Sequence, residues 1–177
     1  MAQLAVLEYP DPRLRTRAAR VTVFGAPLDA LIEDMLQTMY ASKAIGLAAT
    51  QVDVHQQIIV IDTSGNASDP HVFINPSIIA RSGLGMVEEG CLSVPGVYDS
   101  VRRALRVTVR AVNRAGAEYE RDLEGVLAVC LQHEMDHLDG KLFVDHLSWL
   151  RRLRARRVLA RARREHAPSR VGTAAHP

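Results

Sequence analysis

Leu28, Leu31, Ile32, Met35, Leu36, Met39 and Tyr40 recur at three- and four-residue spacing. That period predicts an amphipathic helix, with Pro27 suited to its first turn. IGLAATQ (45–51) reads as a tight loop, and QIIVID (57–62) as a short buried strand. TSGNASDP (63–70) is a polar turn region, followed by strand-like HVFIN and SIIA on either side of Pro76. LRVTVRAV (105–112) alternates branched apolar residues with Arg and Thr, the pattern of a half-exposed strand. Asn113 to Gly116 supplies a turn, and AEYERD (117–122) returns as the hairpin partner. The segment from Leu123 to Leu138 is helical in period, and Gly140 suits a left-handed stop beyond it. A last helix starts near Ser148, while APSRVGTAAHP (167–177) has no periodicity and is expected to be disordered.

Strands cluster after one helix and before two others, without the strand–helix alternation of a parallel βαβ fold. The expected class is α+β with mainly antiparallel sheets. A length of 177 residues fits one domain over 1–150, followed by a basic helix over 148–166. No apolar run approaches the roughly 18–20 residues of a membrane span. The start, MAQLAVLEYPDPRLR, lacks a basic region followed by an apolar one, so no signal peptide is expected. Two cysteines, Cys91 and Cys130, are too few for a disulfide framework, and a reducing cytoplasm fits them best.

Charge is unevenly distributed. The first 150 residues hold 13 Lys and Arg against 19 Asp and Glu, whereas residues 151–177 hold nine Arg against one Glu. A basic end on a mildly acidic body suggests an acidic partner for the tail.

The segment LQHEMDHLDG (131–140) carries the chemistry. On a helix, residues four apart share a face, so His133 and His137 can bind one metal ion. Glu134 sits about 100° around the axis and reaches a water on the ion rather than the ion itself. Two histidines lying idle on a helix surface are the bland alternative, but a full H-E-x-x-H in an apolar helical frame is seldom accidental. A catalytic ion needs a third protein ligand and an open position. Downstream, Asp145, His146, Glu165 and His166 are poorly placed. Cys130 lies about 7.5 Å along the helix axis from the level of the ion, too far for a cysteine, and reads better as a buried packing residue. Cys91, in EEGCLSVPG (88–96), sits among Gly90, Pro95 and Gly96 and is the better candidate, although most free cysteines are simply buried. A Cys/His/His site suits zinc or ferrous iron. Gly46 would let the chain pass close to a ligand, or merely turn.

Three segments in order, IGLAATQ (45–51), EGCLS (89–93) and QHEMDHLDG (132–140), closely resemble the signature motifs of the peptide deformylases. That family removes the formyl group from the N-terminal formyl-methionine of new bacterial and organellar proteins. The resemblance implies a fold of antiparallel sheets around a central H-E-x-x-H helix. It implies Cys91, His133 and His137 as ligands of Fe²⁺, with Zn²⁺, Ni²⁺ or Co²⁺ able to replace it in purified protein. Glu134 then serves as the general base and proton carrier. Gln51, by its side-chain amide, and Leu92, by its backbone N–H, stabilise the oxyanion. Alone, Gln51 would read as a polar loop residue and Leu92 as core. Ile45, Val87, Val126, Val129, Cys130 and His133 are implied to line the pocket for the substrate's methionine, and Glu89 to hydrogen-bond a group around the metal.

Two positions depart from the family pattern. Ala44 stands where glycine is common, which is costly only if its φ is positive. Tyr98 stands where many bacterial members carry Arg, with Arg102 and Arg103 as candidates to replace its contact. The implied partners are formyl-methionyl nascent peptides. Some family members dock on the ribosome through a C-terminal helix, and SWLRRLRARRVLARARR (148–164) offers eight arginines with Leu150, Leu153, Val158 and Leu159 as a narrow apolar stripe. A solvated helix is its bland reading. No DNA or membrane partner is expected. The weighed alternatives are a zincin-like endopeptidase and a ribosome-associated protein with a structural metal.

Overall fold

The computed structural model describes residues 3–166. The five strands form one antiparallel sheet in sequence order. They are β1 (Gly46–Ala48), β2 (Ile58–Ile61), β3 (His71–Cys91), β4 (Val94–Val112) and β5 (Glu118–Glu124). Three α-helices accompany them: α1 (Ala26–Ala41), α2 (Gly125–Leu138) and α3 (Trp149–His166). The α+β class and its antiparallel sheet are as the sequence predicts.

β2 explains how the layers form. Ile59 and Ile61 join the core under α2, with Phe73, Val109, Ala128 and Leu131. Ile58 and Val60 join the core under α1, with Ile32, Met35 and Met39. Both faces of β2 are covered, so its sequence is continuously apolar rather than alternating. Each fully buried Ile contributes roughly 1.5–3 kcal/mol by leaving water.

Several boundaries differ from the sequence reading. IGLAATQ is not a loop: Gly46–Ala48 pairs with β2, Gly46 opposite Ile61, and Ala49–Val52 forms a 3-10 turn. HVFIN and SIIA are one strand, not two pieces. Pro76 cannot donate to a ladder, and a register shift between Ile74 and Ser77 absorbs it. The Asn75 side chain accepts from Val21 N at 2.8 Å and donates to Val21 O at 2.9 Å, tying the N-terminal arm to this bend. β3 and β4 together make one long hairpin, closed by Leu92 and Ser93 between the Cys91–Val94 pair. Leu123 and Glu124 stay in β5, opposite Val107 and Arg106, and the helix starts only at Gly125, which has a positive φ. α3 starts at Trp149, and its expected apolar stripe divides. Leu159 is buried with Ala155 against Val97, Val101 and Phe143, whereas Leu150, Leu153 and Val158 are exposed. The tail expected to be disordered, 167–177, lies outside the described residues.

Gly140 ends α2 at φ +72, and a Cβ there would lie 2.5 Å from Arg15 O. Gly65 has a similar φ of +77 with nothing near. Gly65→Ala should therefore cost only the left-handed strain, about 1–2 kcal/mol. Gly140→Ala should cost more, because rigid backbone must also move. Urea denaturation of the two variants measures the difference; equal losses would mean that the close approach to Arg15 is harmless.

Candidate metal centre

α2 carries His133, Glu134 and His137 on its buried side, and the end of β3 carries Cys91 to meet them. The ligand atoms of Cys91, His133 and His137 lie within 4.8 Å of one another, with Cys91 Sγ 3.2 Å from His137 Nε2. His133 Nδ1 is 2.8 Å from Glu89 Oε2. A carboxylate only accepts, so Nδ1 carries the hydrogen and Nε2 faces the centre. The two imidazoles stand edge to face with centroids 5.0 Å apart. Burial and the neighbouring His133 hold the His137 pKa well below its ordinary range, leaving a neutral ring with a free lone pair.

A divalent cation fits this donor set. One thiol sulfur and two imidazole nitrogens converge at an interior point, the composition that suits zinc or ferrous iron. Cys130 is not part of the cluster. Its buried thiol is pushed well up, first by desolvation and then by the Glu134 and Glu89 carboxylates.

Glu134 is 4% exposed, and its Oε2 has no hydrogen-bond partner among the described residues. Burial raises its pKa to about 7, the poise of a group that both takes and returns a proton near neutrality. Gln51 is oriented from behind. Its Oε1 accepts from Ala48 N at 2.8 Å, which turns Nε2 toward Ser93 Oγ at 3.2 Å and Cys91 Sγ at 3.7 Å. The Leu92 N–H follows Cys91 in the hairpin turn and makes no hydrogen bond among the described residues.

A cleft of about 620 Å³ opens onto these groups. Ile45, Gly46, Gln51 and Leu92 line one part of it, and Val126, Val129, Cys130, His133 and Glu134 another. Glu89 and Cys91 also border it. Val87 does not: it lies two residues before Glu89 on β3, opposite Val101 and outside the cleft. Ala44 lines the cleft without positive φ; Lys43 before it takes that conformation at φ +54, so the alanine is mild.

Arg102 and Arg103 do not replace a contact at position 98, since neither lines the cleft. Arg103 is instead 5% exposed and grips Glu89 with Nε–Oε1 at 2.6 Å and Nη2–Oε2 at 3.0 Å. Burial works against the Glu89 charge, but Arg103 and His133 more than offset it and hold its pKa at about 2. Phe143 stacks on His133 with centroids 6.1 Å apart. Nothing in the local sequence marks Arg103 or Phe143 as part of the site, because both act through residues distant in the chain.

The model of the polypeptide deformylase family matches residues 3–153. This chain belongs to that family. A peptide deformylase of Xylella fastidiosa is 54% identical over 167 residues, spanning 93% of this chain and 98% of that protein. One from Hahella chejuensis is 54% identical over 168 residues, spanning 94% of this chain and all of that protein. The crystal structure of a peptide deformylase from Legionella pneumophila superposes with a TM-score of 0.90 at 49% identity, over 94% of this chain and 98% of that one. The deformylase is a metal-dependent hydrolase that removes the N-formyl group from nascent polypeptides. The endopeptidase and structural-metal alternatives are not favoured.

Gly46 is a point of close approach in the deformylase cleft. A Cβ there would lie 2.5 Å from Cys130 Sγ and 2.7 Å from Glu134 Oε1. Gly46→Ala should displace the carboxylate and lower turnover about 100-fold, since misplacing a reacting group by an ångström costs that much. Adding Cys130→Ala, which removes the closer contact, should restore part of the rate. Formate release by both variants measures this; full activity of Gly46→Ala would mean the contact yields freely.

Proposed function

We propose that Cys91, His133 and His137 hold a divalent cation, Fe²⁺ in the cell, with Zn²⁺, Ni²⁺ or Co²⁺ as substitutes in purified protein. The convergence of their ligand atoms within 4.8 Å, beside a buried carboxylate, carries this reading. When bound, the ion supplies Lewis acidity and lowers the pKa of a water to near neutrality. Glu134 takes a proton from the water that attacks the formyl carbon and delivers it to the amine released when the C–N bond breaks. Gln51 Nε2 and the Leu92 N–H donate to the oxygen on which negative charge develops, each worth roughly 2.7–4 kcal/mol in such a role. The carbonyl end of Gln51 is already fixed by Ala48 N, so its amide needs no reorientation during the reaction. Ile45, Val126, Val129 and Cys130 give the methionine side chain an apolar wall, with Gly46 allowing the backbone to approach. Glu89 fixes the ring of His133. Val87 contributes at most through β3 packing.

We further propose that residues 1–150 work as one catalytic domain in the cytoplasm, and that the basic helix over 148–166 docks on the ribosome. Trp149, Leu150, Leu153 and Val158 are exposed on α3, and Arg154, Arg156 and Arg157 are exposed beside them. Ala155 and Leu159 anchor the same helix to the body, so the basic face is presented on a fixed support.

The anaerobically purified, iron-loaded chain is expected to release formate from formyl-Met-Ala-Ser. Glu134→Ala should keep one ion per chain and lose about 10²–10⁴-fold in turnover, the usual worth of a positioned acid–base group. Turnover near wild type in that variant would remove Glu134 as the base. For the helix, replacing Arg154, Arg156 and Arg157 together by Ala spares the anchors. Ribosome cosedimentation at low salt should fall, with a shallower salt dependence; unchanged cosedimentation would overturn the docking.

A further inference from the structure

The support behind His133 continues past Glu89 and Arg103. Arg103 Nη1 donates to Asp136 Oδ2 at 2.7 Å. His146 Nε2 lies 2.7 Å from the same Asp136 oxygen. Because a carboxylate only accepts, the His146 Nε2 carries the hydrogen. The chain of contacts thus runs from His146, with its side chain 38% exposed, through Asp136, Arg103 and Glu89 to His133 Nδ1. Every link is a hydrogen bond with a charged partner, the stronger kind.

The 3-10 turn Phe143–His146 meets the metal centre directly at one end and its outer support at the other. Phe143, at its start, stacks on the His133 ring at an interplanar angle of 26°. His146, at its end, reaches the carboxylate that holds Arg103. The turn itself is fixed: Leu142 N donates to Asp145 Oδ2 at 2.8 Å, and Arg15 pairs with Asp145 and donates to Gly140 O at 3.2 Å.

We infer that Asp136 and His146 are positioning residues for the ligand His133, acting through Arg103 and Glu89. The inference rests on the metal-centre reading above. Arg103 is shared between two carboxylates, so its fork meets Glu89 squarely only while Asp136 holds the remaining nitrogen. Asp136 is itself held by the His146 N–H. Loosening the outer end lets Glu89 shift and frees the His133 ring to turn. Outer partners of ligand histidines are typically worth about 10–100-fold in metal affinity.

The test is the rate at which Co²⁺-loaded protein loses its ion to a chelator, together with its visible absorption spectrum. Asp136→Ala is expected to release the ion about 10-fold faster or more. His146→Ala should shift the rate in the same direction by less, with altered d–d bands in both. His146→Gln keeps an N–H donor and should restore most of the wild-type rate. Leu36→Ala, in the core under α1, lowers thermal stability without touching this chain of contacts, and should leave rate and spectrum unchanged. Wild-type rates and spectra in both Asp136→Ala and His146→Ala would overturn the inference while leaving the metal centre standing. A wild-type chain that binds no Co²⁺ would overturn the metal-centre reading and this inference with it.

Discussion

The ion pair between Glu89 on β3 and Arg103 on β4, each with a side chain 5% exposed, is the interaction on which the site depends. Taking both charges out of water is expensive, and their attraction repays it only with good geometry and further hydrogen bonds. Here the geometry is a two-pronged fork, and the remaining valences go to Asp136 and His133 on α2. A pair confined to the hairpin would merely staple two strands. This one reaches across to the helix and sets the rotation of a metal-ligand ring. Removing Arg103 would leave the buried Glu89 carboxylate with only the His133 N–H to meet it, and breaking a buried pair typically costs about 3–5 kcal/mol.

The same interior dryness determines what Glu134 can do. It lies beside the fork but outside it, with one oxygen unpartnered, and burial raises it to about 7. Glu89, also buried but gripped by Arg103 and His133, falls to about 2. Two carboxylates within one site are thus driven apart in acidity by their partners. The low one stays ionised as a fixed acceptor, and the high one is free to exchange a proton. Gly46 permits this arrangement by leaving room for the Glu134 carboxylate against β1.

Much of this was legible in the chain. The four-residue spacing of His133 and His137 and the place of Glu134 between them follow from helix geometry, and Gly140 takes the positive φ expected of a helix stop. The apolar run of β2 announced a buried strand. What was not legible is non-local. Pro76 reads as a strand breaker, yet the bulge beside it carries β3 through. Gly46–Ala48 has three buried residues and no alternation, so only its pairing with β2 reveals a strand. Arg103 lies between residues of ordinary strand character, and only the fold brings Glu89 and Asp136 around it. The division of α3, with Leu159 inward and Leu150 outward, likewise depends on where the hairpin supplies Val97 and Val101.

Tyr98 shows how a departure from a family pattern can be locally self-consistent. Its ring lies over Gly90, where a Cβ would come within 2.4 Å of Cε1. In this conformation the aromatic side chain covers a strand position that has no side chain of its own. Tyr98 remains 71% exposed at the cleft mouth, with Glu8, Glu88 and Lys43 also lining it. An arginine at 98 would bring a cation to that mouth; the tyrosine brings an apolar face and a hydroxyl instead. Lys43 supplies a cation at this mouth, while Arg103 is committed to Glu89. Tyr98 thus shapes the entrance of the cleft, whereas the metal centre hangs from the Glu89–Arg103 fork.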